Sequence, residues 1–268
     1  MPKFRLWMAI VCLALGAPAS GALERITIAA FEYPPIYQNA ENKGLSGELV
    51  VEAFKAAGIE VELRFYPVAR MILNVADGKE VCGIGGSVLF EAPEIASEVR
   101  ISEVVQYVSQ GFLYDSRKHP LGLRFESLQD LKLYRIGVLY SSGIMKFLEK
   151  EKLKLEPSTN HKSAALQLQA GNVDLWAIVD LTGLMVMREL FPKEVGFYRN
   201  TRPFNRGDVS LICSKKRDPQ QHYGVKFKKG LTAIKRNGTY LKIMAKYYGS
   251  PALINKEALP DDMRHKIP

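Results

Sequence analysis

Cysteine and histidine are scarce in this chain, and their scarcity excludes several kinds of protein. There are 3 cysteines and 4 histidines in 268 residues, so a disulfide-dense scaffold is excluded. The histidines are scattered and show no HExxH or other metal-ligand spacing: His119, His161, His222 and His265. The sequence also lacks a GxSxG elbow and the GK[ST] ending of a P-loop. We therefore predict no catalytic residue, no metal and no cofactor.

Glycine and proline are also too few for a fibrous or disordered chain, at 21 and 14 residues. Hydrophobic residues make up 47% and charged residues 24%, which is typical of a folded globular protein. A chain of this length has room for one large domain or two of medium size. Acidic residues are outnumbered, 28 against 37 basic ones, and the net charge of +9 permits a nucleic-acid partner without establishing one.

Residues 1–22 have the pattern of a secretory signal peptide. Lys3 and Arg5 precede a ten-residue apolar run at 6–15, and small residues at 17–19 and 20–22 offer two cleavage sites. The run is too short for a membrane-spanning helix, which needs about 20 residues, although an N-terminal anchor is the alternative interpretation. No cysteine follows the cleavage zone, which argues against a lipoprotein. We expect a periplasmic protein, and such a location excludes nucleic acid as a partner.

Cleavage would change the charge and the cysteine count. It removes two basic residues and leaves 35 basic and 28 acidic ones, a net charge of +7. Cys12 is removed as well, so Cys82 and Cys213 remain. An oxidising compartment permits a disulfide between them, but both are equally consistent with small buried apolar residues. Cys82 falls inside a predicted strand, which argues against a nucleophile.

The remaining sequence alternates between strand and helix patterns and predicts two α/β lobes. Strands are predicted at 25–30, 60–65, 81–86, 135–139, 175–179 and 208–214. Helices are predicted at 46–57, 69–76, from 143 to about 152, at 163–170, and in two basic stretches within 218–248. The pattern begins anew near residue 135, and no low-complexity linker separates the two halves, so extended crossover strands are expected to join them.

Ligands of open α/β sheets bind beyond the carboxyl ends of strands, so the residues after each predicted strand are the candidates for a site. Glu32 and Tyr33 follow the first strand, and Gly86 and Ser87 follow the third. An aromatic ring beside a carboxylate suits an apolar or cationic group, and glycine lets a ligand approach the backbone. A solvated glutamate in a packed loop is the simpler alternative for Glu32.

Three further positions complete the candidate site. Arg70 lies one turn into the second helix, where a guanidinium has the geometry to clamp a carboxylate, unless it is an ordinary surface arginine. Ser141 and Ser142 lie at a strand-to-helix turn whose free N–H groups favour anions, although one serine is equally suited to cap the helix. Asp180 ends a strand, where its carboxylate would face the cleft and hold an ammonium group.

The order of several motifs over residues 25–250 resembles the family 3 extracellular solute-binding proteins, the periplasmic receptors of amino-acid importers. The motifs are Glu32-Tyr33-Pro34-Pro35, Gly47-Glu48-Leu49, Pro67-Val68-Ala69-Arg70, Ser127-Leu128-Gln129-Asp130-Leu131 with Arg135-Ile136-Gly137-Val138, Gly171-Asn172-Val173-Asp174 with Asp180, Gly238-Thr239-Tyr240, and Tyr247-Tyr248-Gly249. The resemblance implies a type II periplasmic binding protein: an α/β fold whose two lobes have mainly parallel sheets and are joined by two crossover strands.

The resemblance also implies how the chain divides. Residues 23–108 and 208–268 would form the first lobe and 109–207 the second, with crossovers near 107–110 and 204–208. A small solute would bind between the lobes, and the partner of a monomeric receptor would be an ABC permease or a membrane sensor. Because this fold makes the third strand and the returning strand neighbours, a disulfide between Cys82 and Cys213 is predicted.

The sequence departs from the family at one position. Amino-acid binders usually carry an arginine after the third strand to hold the ligand carboxylate, but Ile95 stands at that position here. Asp180 matches the family's ammonium-binding aspartate. We therefore predict an amino-acid-like or cationic solute, with Arg70 as the candidate replacement for the missing arginine.

Two other functions stay open. The cyclohexadienyl dehydratases resemble the same family, and an enzyme of that kind would use Glu32 or Asp180 as its acid–base group. The basic stretch at 215–246 has ten lysines and arginines against one acid, Asp218, as a charged interaction surface would. A solvated helical face explains that stretch equally well.

Overall fold

A pair of long antiparallel strands forms the centre of one mixed sheet in the computed structural model, which describes residues 24–267. The predicted signal peptide lies outside these residues. Nine strands occur in the described part: β1 (Glu24–Ala30), β2 (Ile59–Phe65), β3 (Cys82–Gly85), β4 (Val99–Asp115), β5 (Arg135–Leu139), β6 (Lys154–Ser158), β7 (Leu175–Val179), β8 (Tyr198–Asn200) and β9 (Asn205–Ser214). Their order is β2-β1-β3-β9-β4-β7-β5-β6, with β8 beside β4.

Eight α-helices cover the faces of this sheet within the same residues. They are α1 (Gly44–Ala56), α2 (Val68–Ala76), α3 (Pro93–Ala96), α4 (Gly143–Glu149), α5 (His161–Ala170), α6 (Asp180–Leu190), α7 (His222–Arg236) and α8 (Thr239–Tyr248). Three short 3₁₀ turns follow α8, at Pro251–Leu253, Lys256–Ala258 and Asp261–Lys266. None of the described helices has both the length and the apolar character needed to cross a membrane.

The sheet has two parallel halves, which confirms the predicted two-lobe α/β fold. Strands β1, β2 and β3 are parallel, and with α1, α2, α7 and α8 they form what we term the first lobe. Strands β5, β6 and β7 are also parallel and form the second lobe with α4, α5 and α6. Antiparallel pairing is confined to the centre, because the chain leaves the first lobe along β4 and returns along β9.

The two crossing strands pair with each other along their length. Their register runs from Val99 opposite Ser214 to Gln110 opposite Asn205, with two irregularities on the β4 side. The crossovers expected at 107–110 and 204–208 therefore meet in one ladder. Because β4 and β9 stay paired on both sides of these irregularities, the pairing sets no sharp lobe boundary, and the limits at 108 and 207 stay a prediction.

Helix α7 packs closely on α1 through a glycine. A Cβ atom added to Gly230 would lie 2.7 Å from the carbonyl carbon of Ala53, closer than real Cβ contacts come. The rings of Phe54 and Phe227 meet in the same interface with centroids 5.0 Å apart. The first lobe therefore depends on a glycine at this helix crossing.

Replacing this glycine should destabilise the protein. We expect Gly230→Ala to lower the free energy of unfolding by about 1–3 kcal/mol or more, because the methyl group forces α7 away from α1. Gly196→Ala is the matched control: its Cβ would meet no atom within 4 Å, and we expect a change within about 0.5 kcal/mol. Urea unfolding measures both. Equal effects of the two substitutions would contradict the packing argument.

Strands β3 and β9 are joined by a disulfide. Cys82 lies directly opposite Cys213 in the antiparallel register. Their sulfur atoms are 1.97 Å apart, the Cα atoms are 3.9 Å apart, and 131 positions separate them in sequence. The bond links the returning strand covalently to the first lobe.

The disulfide should contribute measurably to stability. The double variant Cys82→Ser/Cys213→Ser should lose about 2–4 kcal/mol of unfolding free energy, because the wild-type bond restricts the unfolded chain. Dithiothreitol should lower the urea midpoint of the wild type and leave that of the double variant unchanged. Two free thiols in exported, denatured wild-type protein would contradict the bond.

Candidate functional site

A cavity of about 290 Å³ lies between the lobes, at the ends of β1, β3 and β5. The first lobe lines it with residues after β1 and β3, the second with the turn between β5 and α4, and the crossing strands close its floor. Its lining includes Phe31, Tyr33, Tyr37, Gly86, Ser87, Val88, Gln110, Tyr140, Ser141, Ser142, Phe147, Arg206 and Asp208. The carboxyl ends of strands from both lobes thus meet at one site, as expected for open α/β sheets.

Five of the eight predicted site residues line this cavity: Tyr33, Gly86, Ser87, Ser141 and Ser142. Ser142 caps α4, because its Oγ accepts the N–H of Met145 at 3.1 Å. Ser141 has a positive φ of 57°, which turns the chain into that helix. Ligand contact by these five residues stays a prediction.

Glu32 and Arg70 are absent from the lining. Phe31 and Tyr33 are buried while Glu32 between them is exposed, because successive side chains of an extended segment point to opposite sides. Arg70 is exposed on α2, whose next residue, Met71, faces the core. Glu32 is thus a solvated loop glutamate and Arg70 a surface arginine, the alternatives that the sequence left open for these two residues.

Asp180 lies beside a different cavity. It is the first residue of α6, where its Oδ1 accepts the N–H of Leu181 at 2.7 Å and its Oδ2 accepts Nδ2 of Asn255 at 2.9 Å. Burial raises the pKa of this carboxyl. The adjoining cavity, about 540 Å³, lies between α6 and the end of α8. Asp180 therefore links the second lobe to the segment after α8.

Asp208, a residue not predicted from the sequence, supplies a carboxylate to the cavity between the lobes. Its Oδ1 accepts the Oγ–H of Ser87 at 2.7 Å, and its Oδ2 accepts the N–H of Ser87 at 3.1 Å and the Oγ–H of Ser210 at 2.6 Å. None of the ion pairs within residues 24–267 includes Asp208, and the cation of the lining, Arg206, pairs with Asp261 instead. The sequence feature that could have indicated Asp208 is its position as a charged residue at the start of an otherwise apolar strand, DVSLICS.

Aromatic rings form much of the cavity wall. Phe31 and Tyr37 pack with centroids 4.8 Å apart, and Phe147 stacks on Phe204 at 5.7 Å. Tyr140 lies at the rim with 64% of its surface exposed. Burial, and after it the charge of Asp208, raises the pKa of Tyr37 well above its usual value, so its phenol stays protonated.

Among the described residues that line this cavity, Arg206 is the only lysine or arginine, and its guanidinium is bound elsewhere. Its Nε donates to the carbonyl oxygen of Glu257 at 2.8 Å, and its Nη1 lies 3.3 Å from Asp261. The group also stacks over Tyr107, 3.4 Å from the ring centroid. Ile95, which the sequence places at the expected arginine position, lies on α3, packs against the core and is absent from this lining.

A half-buried histidine, whose two ring nitrogens are both buried, joins the lobes beside the cavity. The ring of His161, at the start of α5, meets the ring of Tyr33 edge-on with centroids 4.5 Å apart, and Trp176 lies behind it at 6.1 Å. Neither ring nitrogen has a hydrogen-bond partner within residues 24–267. Burial lowers the pKa of His161 to about 4, so the ring is neutral near pH 7.

This histidine should make stability depend on pH. The unfolded chain binds a proton near the ordinary pKa of 6.5, and the folded ring only near 4. The contribution is therefore complete above pH 6.5 and is lost as pH falls toward 4, by about 3 kcal/mol. Urea unfolding across this range should show the loss in wild type and in the exposed control His265→Gln, but a smaller loss in His161→Phe. The same slope in all three proteins would reject this assignment.

The described residues contain no cluster of three or more histidine, cysteine, aspartate or glutamate side chains that could hold a metal ion. Residues 25–250 match the sequence model of the bacterial extracellular solute-binding proteins, family 3. No curated protein matches the chain.

Solved structures of the same fold include a sensor domain and ligand-binding proteins. A histidine kinase sensor domain with similarity to periplasmic binding proteins has a TM-score of 0.68 at 16% identity, over 85% of this chain and 97% of its own. The GluR0 ligand-binding core from Nostoc punctiforme, in complex with L-glutamate, has 0.66 at 18%, over 83% and 98%. The arginine-, lysine-, histidine-binding protein ArtJ from Geobacillus stearothermophilus has 0.67 at 18%, over 91% and 100%. At these identities the likeness shows the fold, that of the type II periplasmic binding proteins.

Proposed function

Because this chain belongs to the bacterial extracellular solute-binding proteins of family 3, we propose that it is a periplasmic receptor for a small amino-acid-like or cationic solute. The observation that carries the proposal is the cavity between the lobes, which combines aromatic walls with the Asp208 carboxylate. Such a mixture of apolar surface and a few oriented polar groups is typical of small-molecule sites.

Solute binding would draw the lobes together by bending the crossing strands. Residues 107–110 and 204–208 are the proposed hinge, and the lobes would comprise 23–108 with 208–268, and 109–207. Contacts that support closure already span the lobes, as in the Tyr33–His161 ring pair. A Cβ atom added to Gly143 would lie 2.9 Å from Val88, so the walls also approach closely at the cavity.

The closed receptor would be recognised by an ABC permease or a membrane sensor, and it would act as a monomer after signal-peptide cleavage. The structural relatives support both kinds of partner, since they include a histidine kinase sensor domain and the substrate-binding protein of an amino acid ABC transporter. Neither partner would be nucleic acid.

A dehydratase on this fold is a weaker proposal. Its acid–base group would be Glu32 or Asp180, but Glu32 is exposed and Asp180 faces Asn255, both outside the cavity between the lobes. A receptor returns its ligand unchanged, so chromatography of a bound and released ligand separates the two functions.

A thermal-shift screen against amino acids, amines, polyamines and small organic acids tests the receptor. A ligand that binds the native state alone raises the melting temperature. For a hit, we expect Tyr140→Ala to weaken binding about fivefold to thirtyfold, because a ring at the rim is lost. The exposed control Glu32→Ala should change the affinity less than twofold. No hit, in protein shown free of carried-over ligand, would reject the receptor function.

A further inference from the structure

We infer that Asp208 binds the cationic group of the solute, and that the solute is an amine without an α-carboxylate. The inference rests on the proposed receptor function and narrows its ligand class. It assigns specificity to a residue on the crossing strand β9, at the proposed hinge.

The first support is that the Asp208 carboxylate accepts hydrogen bonds from neutral groups and belongs to no ion pair within residues 24–267. Its three hydrogen-bond donors belong to Ser87 and Ser210, which are neutral. Neutral donors fix the orientation of the carboxylate without cancelling its charge, and no ion pair within residues 24–267 cancels it. A partly buried carboxylate of this kind is an acceptor for an ammonium or guanidinium group, because a charge-assisted hydrogen bond is stronger than a neutral one.

The second support is the absence of a usable cation in the cavity lining. Glu91 adds another carboxylate at its edge. The guanidinium of Arg206 is bound to the carbonyl oxygens of Glu257 and Leu259. A ligand carboxylate would therefore meet two negative charges and no free positive one. Repulsion between these carboxylates and a ligand carboxylate would lower the affinity for amino acids relative to amines.

The third support is the set of aromatic rings that line the same cavity as this carboxylate. Phe31, Tyr33 and Tyr37 from the first lobe and Tyr140 from the second surround the same volume. Aromatic faces attract cations and also accept the apolar body of an organic amine. The volume of about 290 Å³ lies near the lower end of small-molecule sites. The occupant should accordingly be a small amine with an apolar or aromatic body.

Matched pairs of ligands test this inference, because an amino acid and its decarboxylated amine differ only in the carboxylate. Suitable pairs are 2-phenylethylamine with L-phenylalanine, tyramine with L-tyrosine, cadaverine with L-lysine, and agmatine with L-arginine. We expect isothermal titration of the wild type to show at least one amine that binds tenfold or more tightly than its amino acid, and no pair in the opposite order.

Asp208→Asn tests the role of the residue itself. It keeps an acceptor for Ser87 while removing the charge, so amine affinity should fall tenfold or more and the preference within each pair should shrink. The control Glu94→Gln removes an exposed carboxylate from α3, outside the cavity lining, and should leave both quantities within twofold. If Asp208→Asn fails to fold, the wild-type pairs alone decide the ligand class.

Three results would overturn the inference. Tighter binding of the amino acids would reject the amine class and leave the receptor function intact. Binding of organic acids alone in the thermal-shift screen would also reject the amine class and leave the receptor function intact. An undiminished preference for amines in folded Asp208→Asn would reject the assignment of the cation to this residue. Failure of every compound in the screen would reject the receptor function as well.

Discussion

The antiparallel pairing of β4 with β9 is the interaction on which the rest of the structure depends. It is the ladder through which the two parallel halves of the sheet join, since β3 pairs with β9 and β7 with β4. The disulfide reinforces it by tying β9 to β3. Because the cavity lies against these strands, the crossing strands contribute Gln110 and Asp208 directly to its lining. Movement of the lobes and recognition of the solute would therefore involve the same residues.

Net charge and site charge have opposite signs in this protein. The basic helices α7 and α8 carry much of the positive excess, and several of their lysines pair with acids of the first lobe or the following turns, as in Lys228 with Glu103 and Lys235 with Asp262. Exposed pairs of this kind contribute little to stability. The cavity lining, in contrast, has two carboxylates, Glu91 and Asp208, against one guanidinium, that of Arg206. The excess of basic residues outside the predicted signal peptide is thus a property of surfaces and does not indicate the charge of the ligand.

Most strands of the two parallel halves and most helices were predictable because their apolar spacing is local. The predicted strands 135–139 and 175–179 have the observed limits, and the first helix begins two residues earlier than predicted. The edge strand β6 was missed because its sequence, KLEPS, lacks alternation. Helix α6 was missed because it follows β7 without a break. Asp208 escaped prediction as a site residue because its partner Ser87 lies 121 positions away, a separation that no local pattern spans.

The segment after residue 250, beyond the family match, bears directly on the chemistry of the cavity. Its backbone carbonyls at Glu257 and Leu259 hold the guanidinium of Arg206, and Asn255 holds Asp180 on the second lobe. Arg206 has the charge and the location to receive a carboxylate, but its donors are directed to this segment instead. The family match ends at residue 250, so it does not include the contacts that hold Arg206 and Asp180. Arg206 therefore presents no free guanidinium to a ligand carboxylate in the cavity. The electrostatic character of the cavity therefore follows from a contact between β9 and the C-terminal turns, in addition to the residues of the cleft itself.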